Sequence, residues 1–118
     1  GGALLNDILG ALAERNLSGA LTALERASGE GADMRLFLTL LLGKLRAILL
    51  LRYARDLRDT LQPMYSEEDF ALLSRLAADP RANINSTVLR EFLAATEALR
   101  HAHIPTLPIE LALVKLLD

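Results

Sequence analysis

Few of the 118 residues have the types and spacing that chemistry requires. His101 and His103 are the two histidines. At i, i+2 on a helix they point to different sides, which argues against a shared metal. Basic side chains near a helix C-terminus are accounted for by its dipole. Glu67, Glu68 and Asp69 could hold a metal or form an acid/base pair, but directly after Ser66 they read as the first turn of a capped helix. Arg46, Arg52, Arg55 and Arg58 could bind phosphates or a partner's acids. Asp56 and Asp59 interleave with them, so a solvated, charge-balanced face is the preferred reading. Gly29 and Gly31 lead into no Gly-Lys-Ser/Thr, and no serine sits in an elbow motif. Cysteine is absent, which removes thiolate metal sites, Cys nucleophiles and a disulfide frame, and fits a cytoplasmic protein. The residues therefore make no case for a catalytic, cofactor or metal site.

Without a chemical centre, the chain is organised around one stretch, Asp33–Leu61. It opens on a good N-cap and runs without proline to Gln62, and leucines fill its middle. Arg35, Thr39, Gly43 and Arg46 recur at helical spacing and leave the opposite face apolar. Beyond Leu51 the polar residues move to another side. A helix clad in leucine on most sides is buried in a core, or in a core plus an interface. Lys44 and Arg46 interrupt the Leu36–Leu51 run, which is too short to span a bilayer.

Composition agrees with a helical domain. Hydrophobic residues are 52% of the chain and aromatics only 4%, so Leu and Ala build the core. The expected fold is all-α, a single compact domain of about six helices covering residues 3–118 around Asp33–Leu61. A net charge of -2, from 13 basic and 15 acidic residues, gives no electrostatic basis for nucleic-acid binding. Gly1-Gly2 reads as a cloning remnant, and the abrupt ends suggest a piece of a longer protein.

In order, Ala3–Arg15 reads as a first helix. Ser18 can cap a second over Gly19–Ser28, closed by Gly29 as C-cap. Ser66 starts a fourth helix, with Tyr65 and Phe70 at staple positions and Phe70, Leu73, Leu76 and Ala77 facing inward. Asp79-Pro80 stops it, and Arg81–Asn85 reads as a polar loop. The fifth helix starts near Asn85 or Ser86, runs to about His103 and buries Val88, Leu89, Phe92, Leu93, Thr96 and Leu99. The sixth starts at Pro108. Its Ile109, Leu111, Leu113, Val114, Leu116 and Leu117 are too many for one narrow stripe, which suggests contact with something outside the chain.

These residues also match a family pattern. A helical hairpin precedes Gly31-x-Asp33, Phe37-Leu38 and Leu45-Arg46-x-x-Leu49-Leu50. Leu99-Arg100 and a proline-containing linker follow, and then Leu107-Pro108-Ile109-Glu110-Leu111-Ala112-Leu113-Val114-Lys115-Leu116. Over nearly its whole length the chain resembles the third, or collar, domain of the gamma/tau subunit of bacterial DNA polymerase III, the clamp-loader family.

The resemblance implies an oligomerisation domain that holds ATPase subunits in a ring for sliding-clamp loading during DNA replication, with other clamp-loader subunits as partners and self-association open. It implies no direct contact with nucleic acid or membrane. ATP and zinc belong, on this reading, to an ATPase part preceding this chain, so the parent would be an ATPase subunit while this domain is not an enzyme. The long third helix and the last helix would supply collar surfaces, with Leu50, Leu51, Tyr53, Leu57, Ile109, Leu113 and Leu116 as candidate contacts. Each has an intramolecular alternative, burial in the domain's own core. Competing readings are the collar of another loader subunit, a helical peptide-binding adaptor with an open apolar groove, and an all-α enzyme with convergent polar groups in a pocket.

Overall fold

The computed structural model describes residues 2–118. It contains α1 (Gly2–Ala13), α2 (Leu17–Gly29), α3 (Met34–Tyr53), α4 (Arg58–Leu61), α5 (Glu67–Ala78), α6 (Ser86–Leu99) and α7 (Leu107–Leu117). Short 3-10 turns at Arg55–Leu57 and Gln62–Met64 flank α4, and no strand occurs among the described residues. The all-α expectation holds. Of the expected Gly1-Gly2 remnant, Gly1 lies outside the described residues and Gly2 opens α1.

The two helices of the N-terminal hairpin end by geometry rather than by composition. At the end of α2, Gly31 takes φ 85, the Gly31 amide donates to the Ser28 carbonyl and the Ala32 amide to the Ala27 carbonyl. This is a Schellman closure, so Gly31 and not Gly29 is the residue that needs glycine's freedom. The end of α1 repeats the pattern with Arg15 at φ 59, the Arg15 amide bonding the Leu12 carbonyl and the Asn16 amide the Ala11 carbonyl. Asn16 then caps α2 by accepting from the Gly19 amide at 2.9 Å. The expected Ser18 cap is thus displaced two residues upstream. A Cβ at Gly19 would come within 2.5 Å of the Asn16 amide nitrogen, so a side chain there would push the Asn16 cap out of its present position.

The central helix is shorter than its leucine pattern suggests. Asp33 caps α3 as expected, accepting from the Arg35 and Leu36 amides, but the helix stops at Tyr53 rather than Leu61. Ala54 leaves helical space at φ -137, ψ 68. Residues 55–60, which follow the break, are all exposed. The break lets the chain turn back, puts Leu61 in the core at 3% exposure and returns it to the middle of α3. From there α5 runs beside α3 in the same direction, with Asp69 next to Lys44 and Ala77 next to Arg52.

Packing closes a circuit around the core. α1 packs on α2, α2 on α7, α7 on α6, α6 on α3 and α3 on α1, while α5 lies against α3 and α1. Ile8, Leu9, Leu12, Leu24, Leu38, Leu41, Leu45, Ile48, Leu73, Phe92 and Ile109 are fully buried side chains of this core. Arg52 fastens its far end. Its Nε donates to the Ala77 carbonyl at 3.1 Å, one terminal nitrogen to Leu76 at 3.1 Å and the other to Ile84 at 2.7 Å. Arg52 is therefore not part of a solvated charged face. It bonds two carbonyls in the last turn of α5, Ala77 and Leu76, the latter also accepting the Asp79 amide at 3.4 Å.

The loop after α5 is likewise not simply polar. Ala82, Asn83 and Ile84 are buried, and the Asn83 amide donates to the Ala13 carbonyl at 3.0 Å. The Ile84 carbonyl is taken by Arg52, so two of the loop's backbone groups find partners inside the fold. α6 is capped by Asn85, which accepts from the Val88 amide at 3.0 Å, and ends at Leu99 rather than His103. There the bonds tighten: the Arg100, His101 and Ala102 amides each reach the carbonyl three residues back. Leu93, expected inside, is 62% exposed.

The two Schellman ends give opposite expectations. Gly31→Ala forces an L-residue into left-handed space and should cost about 1 kcal/mol, whereas Arg15→Gly relieves the same strain and should add about 0.5–1 kcal/mol. Urea unfolding at unchanged m-value checks both.

Candidate docking surface and polar clusters

The histidines and carboxylates singled out in the sequence do not converge. His101 and His103 are both exposed, beyond the end of α6, and no grouping of metal-ligating side chains occurs among the described residues. Glu67 and Glu68 are exposed in the first turn of α5, where Ser66 Oγ accepts from the Asp69 amide at 3.1 Å. Tyr65 and Phe70 take the staple positions: Phe70 is buried and Tyr65 packs partly against the core. The Tyr65 hydroxyl donates to the Gly43 carbonyl at 3.3 Å. Burial pushes the phenol above its ordinary range, Arg46 opposes this and Asp69 adds to it.

One polar cluster was not foreseen. Lys44, on the apolar side of α3, is 6% exposed. Its Nζ donates to Asn6 Oδ1 at 2.7 Å and pairs with Asp69 Oδ2 at 3.1 Å, while Asn6 Nδ2 donates to Asp69 Oδ1 at 2.8 Å. Three helices, α1, α3 and α5, each give one side chain. Periodicity alone could not find this triad, because its members are 63 residues apart at the extremes. The one available signal was a lysine set between Leu41 and Leu45 on the buried face. Asp69 titrates below the ordinary aspartate range, chiefly through the Asn6 hydrogen bond, with Lys44 and Ser66 contributing against a desolvation that raises it. The triad closes on itself and lines no cavity as a group. Its arrangement is that of a fastener between helices.

The apolar surface is more informative. α7 turns Pro108, Ile109, Ala112 and Leu113 inward and leaves Leu107 at 41%, Leu111 at 60% and Val114 at 37% exposure. At i, i+4 and i+7 these three form one outward stripe, preceded by exposed Ile104. The expected leucine surplus of this helix is thus present, in a different register. Glu91 of α6 meets Lys115 at the stripe's edge at 3.2 Å.

The seven expected contact residues divide. Leu51 is buried and Ile109 and Leu113 are 0% exposed, so for these three the intramolecular alternative holds, which corrects their assignment to a free surface. Leu50 and Leu116 are partly buried against the core. Tyr53 and Leu57 are exposed at the corner where α3 breaks, with Met64 also exposed on the same connection. A second apolar feature, a cavity of about 330 Å³ between the starts of α1 and α3, is lined by Leu4, Leu5, Leu36, Phe37 and Leu40 among others.

The family described as DNA polymerase III subunits gamma and tau domain III matches residues 2–118. No curated protein and no solved structure matches the chain.

The triad yields a pH-dependent expectation. Asp69→Ala leaves the Lys44 ammonium buried with only Asn6, and should destabilise by roughly 2–4 kcal/mol near neutral pH. Replacing the pair together, Lys44→Met with Asp69→Leu, should cost less than Asp69→Ala alone. Because the folded carboxyl titrates low, the pair's contribution is complete above the ordinary aspartate range and fades as pH falls through the folded value. The gap between wild type and Asp69→Asn should therefore narrow on acidification, measured by denaturant unfolding across that range.

Proposed function

The chain belongs to the family of domain III of the gamma and tau subunits of DNA polymerase III, and we propose that it serves there as the association, or collar, domain of the clamp loader. The observation that carries this reading is the outward stripe of Leu107, Leu111 and Val114 on α7. The rest of α7 is committed to α2 and α6, so the helix is held in place with an apolar face unspent. Side chains of this kind lose water only against another molecule.

In the proposed mechanism α7 stripes, with the Tyr53–Leu57 corner as a second contact, pack against neighbouring loader subunits in a ring. The domain contributes no bond-making group. It fixes the spacing of the ATPase modules attached to it, so contacts too weak to persist between free subunits operate at high effective concentration. ATP and zinc are handled in those modules, and the assembly works in the cytoplasm on primed DNA. The groove between α1 and α3 favours one second reading, a site for an apolar peptide of a further subunit.

Leu111→Glu with Val114→Glu in the full-length subunit tests the collar reading. Both positions face solvent, so the variant should unfold within about 0.5 kcal/mol of wild type. Sedimentation should show loss of the multi-subunit assembly. A folded variant that assembles as wild type removes α7 from the interface.

A further inference from the structure

Where α3 breaks, three arginines and one hydroxyl line a single cavity of about 300 Å³: Arg52, Arg55, Arg58 and Ser74, over Leu51, Ala77 and Ala78. No carboxylate lines it, and none of the three arginines is in a salt bridge among the described residues. Asp56 and Asp59 alternate with Arg55 and Arg58 in sequence but stand outside the lining.

The backbone produces this convergence. After Ala54 the chain enters a 3-10 turn at Arg55–Leu57, and in that geometry side chains three residues apart eclipse, so Arg55 and Arg58 fall on one side. Two of the guanidinium groups are already oriented. Arg52 spends three N–H donors on the carbonyls of Leu76, Ala77 and Ile84, which leaves two of its five. Arg58 lies over the Phe70 ring at 4.9 Å and donates to Ser74 Oγ at 3.3 Å. Such orientation lowers the entropy lost when a ligand is gripped.

We propose that this cavity binds a phosphate dianion, free or as a phosphomonoester. Three guanidinium groups and a hydroxyl supply more donors than one carboxylate can accept, and they suit the three acceptor oxygens of a phosphate. The ligand is one phosphate group and not a nucleic-acid backbone, because a chain of net charge -2 offers no extended basic track.

The test is an NMR titration of the arginine Nε–Hε resonances of the 118-residue chain with inorganic phosphate and, separately, with a nucleoside 5′-monophosphate, each against sodium chloride of matched ionic strength. Saturable shifts of Arg55 and Arg58 with either probe are expected. Equal affinity marks free phosphate as the ligand, and tighter monophosphate binding marks the ester. Both residues are exposed, so Arg55→Gln with Arg58→Gln should stay folded by circular dichroism and bind roughly tenfold or more weakly, while Arg100→Gln binds as wild type. Shifts that follow ionic strength without saturating, or saturation that survives in the double variant, overturn the site.

Discussion

A leucine-rich helix twenty residues long must be covered over most of its circumference, and that requirement dictates the rest of this fold. α3 is too apolar to lie on a surface, and with 4% aromatics the chain has few large side chains with which to cover it. Coverage is achieved with several short helices instead. α1, α5 and α6 each take a sector of α3, and α7 is the keystone that ties α6 to the N-terminal hairpin. Small alanines such as Ala20, Ala23, Ala27, Ala47, Ala95 and Ala112 are buried at these crossings, which allows helices to approach closely.

Leucine and alanine packing is weakly directional, and two cations supply direction at its margins. Lys44 fixes the register of α1 and α5 on α3 through one amide and one carboxylate. Arg52 holds the end of α5 and the buried loop through three carbonyls. Neither group is left without partners, and no buried side-chain nitrogen or oxygen among the described residues lacks a hydrogen bond. A polar group held by several fixed partners disfavours alternative packings in which those partners are lost.

Much of this was legible in the sequence, for local reasons. The caps at Asp33, Ser66 and Asn85 are short-range chemistry and stand where their residue types place them. The inward faces of α5 and most of α6 follow from a clear period. Legibility failed where the pattern was uniformly apolar or the decision was tertiary. On α7 nearly every position is hydrophobic, so periodicity could not say whether Ile109 and Leu113 or Leu111 and Val114 face inward. No local breaker marks Ala54, since the turn there is set by where Leu61 and Arg52 find their partners. The Lys44 triad and the arginine cavity join side chains that are distant in sequence or are brought together by that turn.

The position of α7 also has a consequence for timing. This helix comes last in the chain, yet it contributes Ile109 and Leu113 to the core and rests on α2, nearly a hundred residues earlier. Native packing of α2 is therefore completed only by a segment far downstream in the chain, a non-local contact of the kind that forms late. The same docking event that seals the interior presents Leu107, Leu111 and Val114 to the outside. The outer face of α7 is thereby held in place by the inner face of the same helix, so the stripe takes its arrangement only from a closed core.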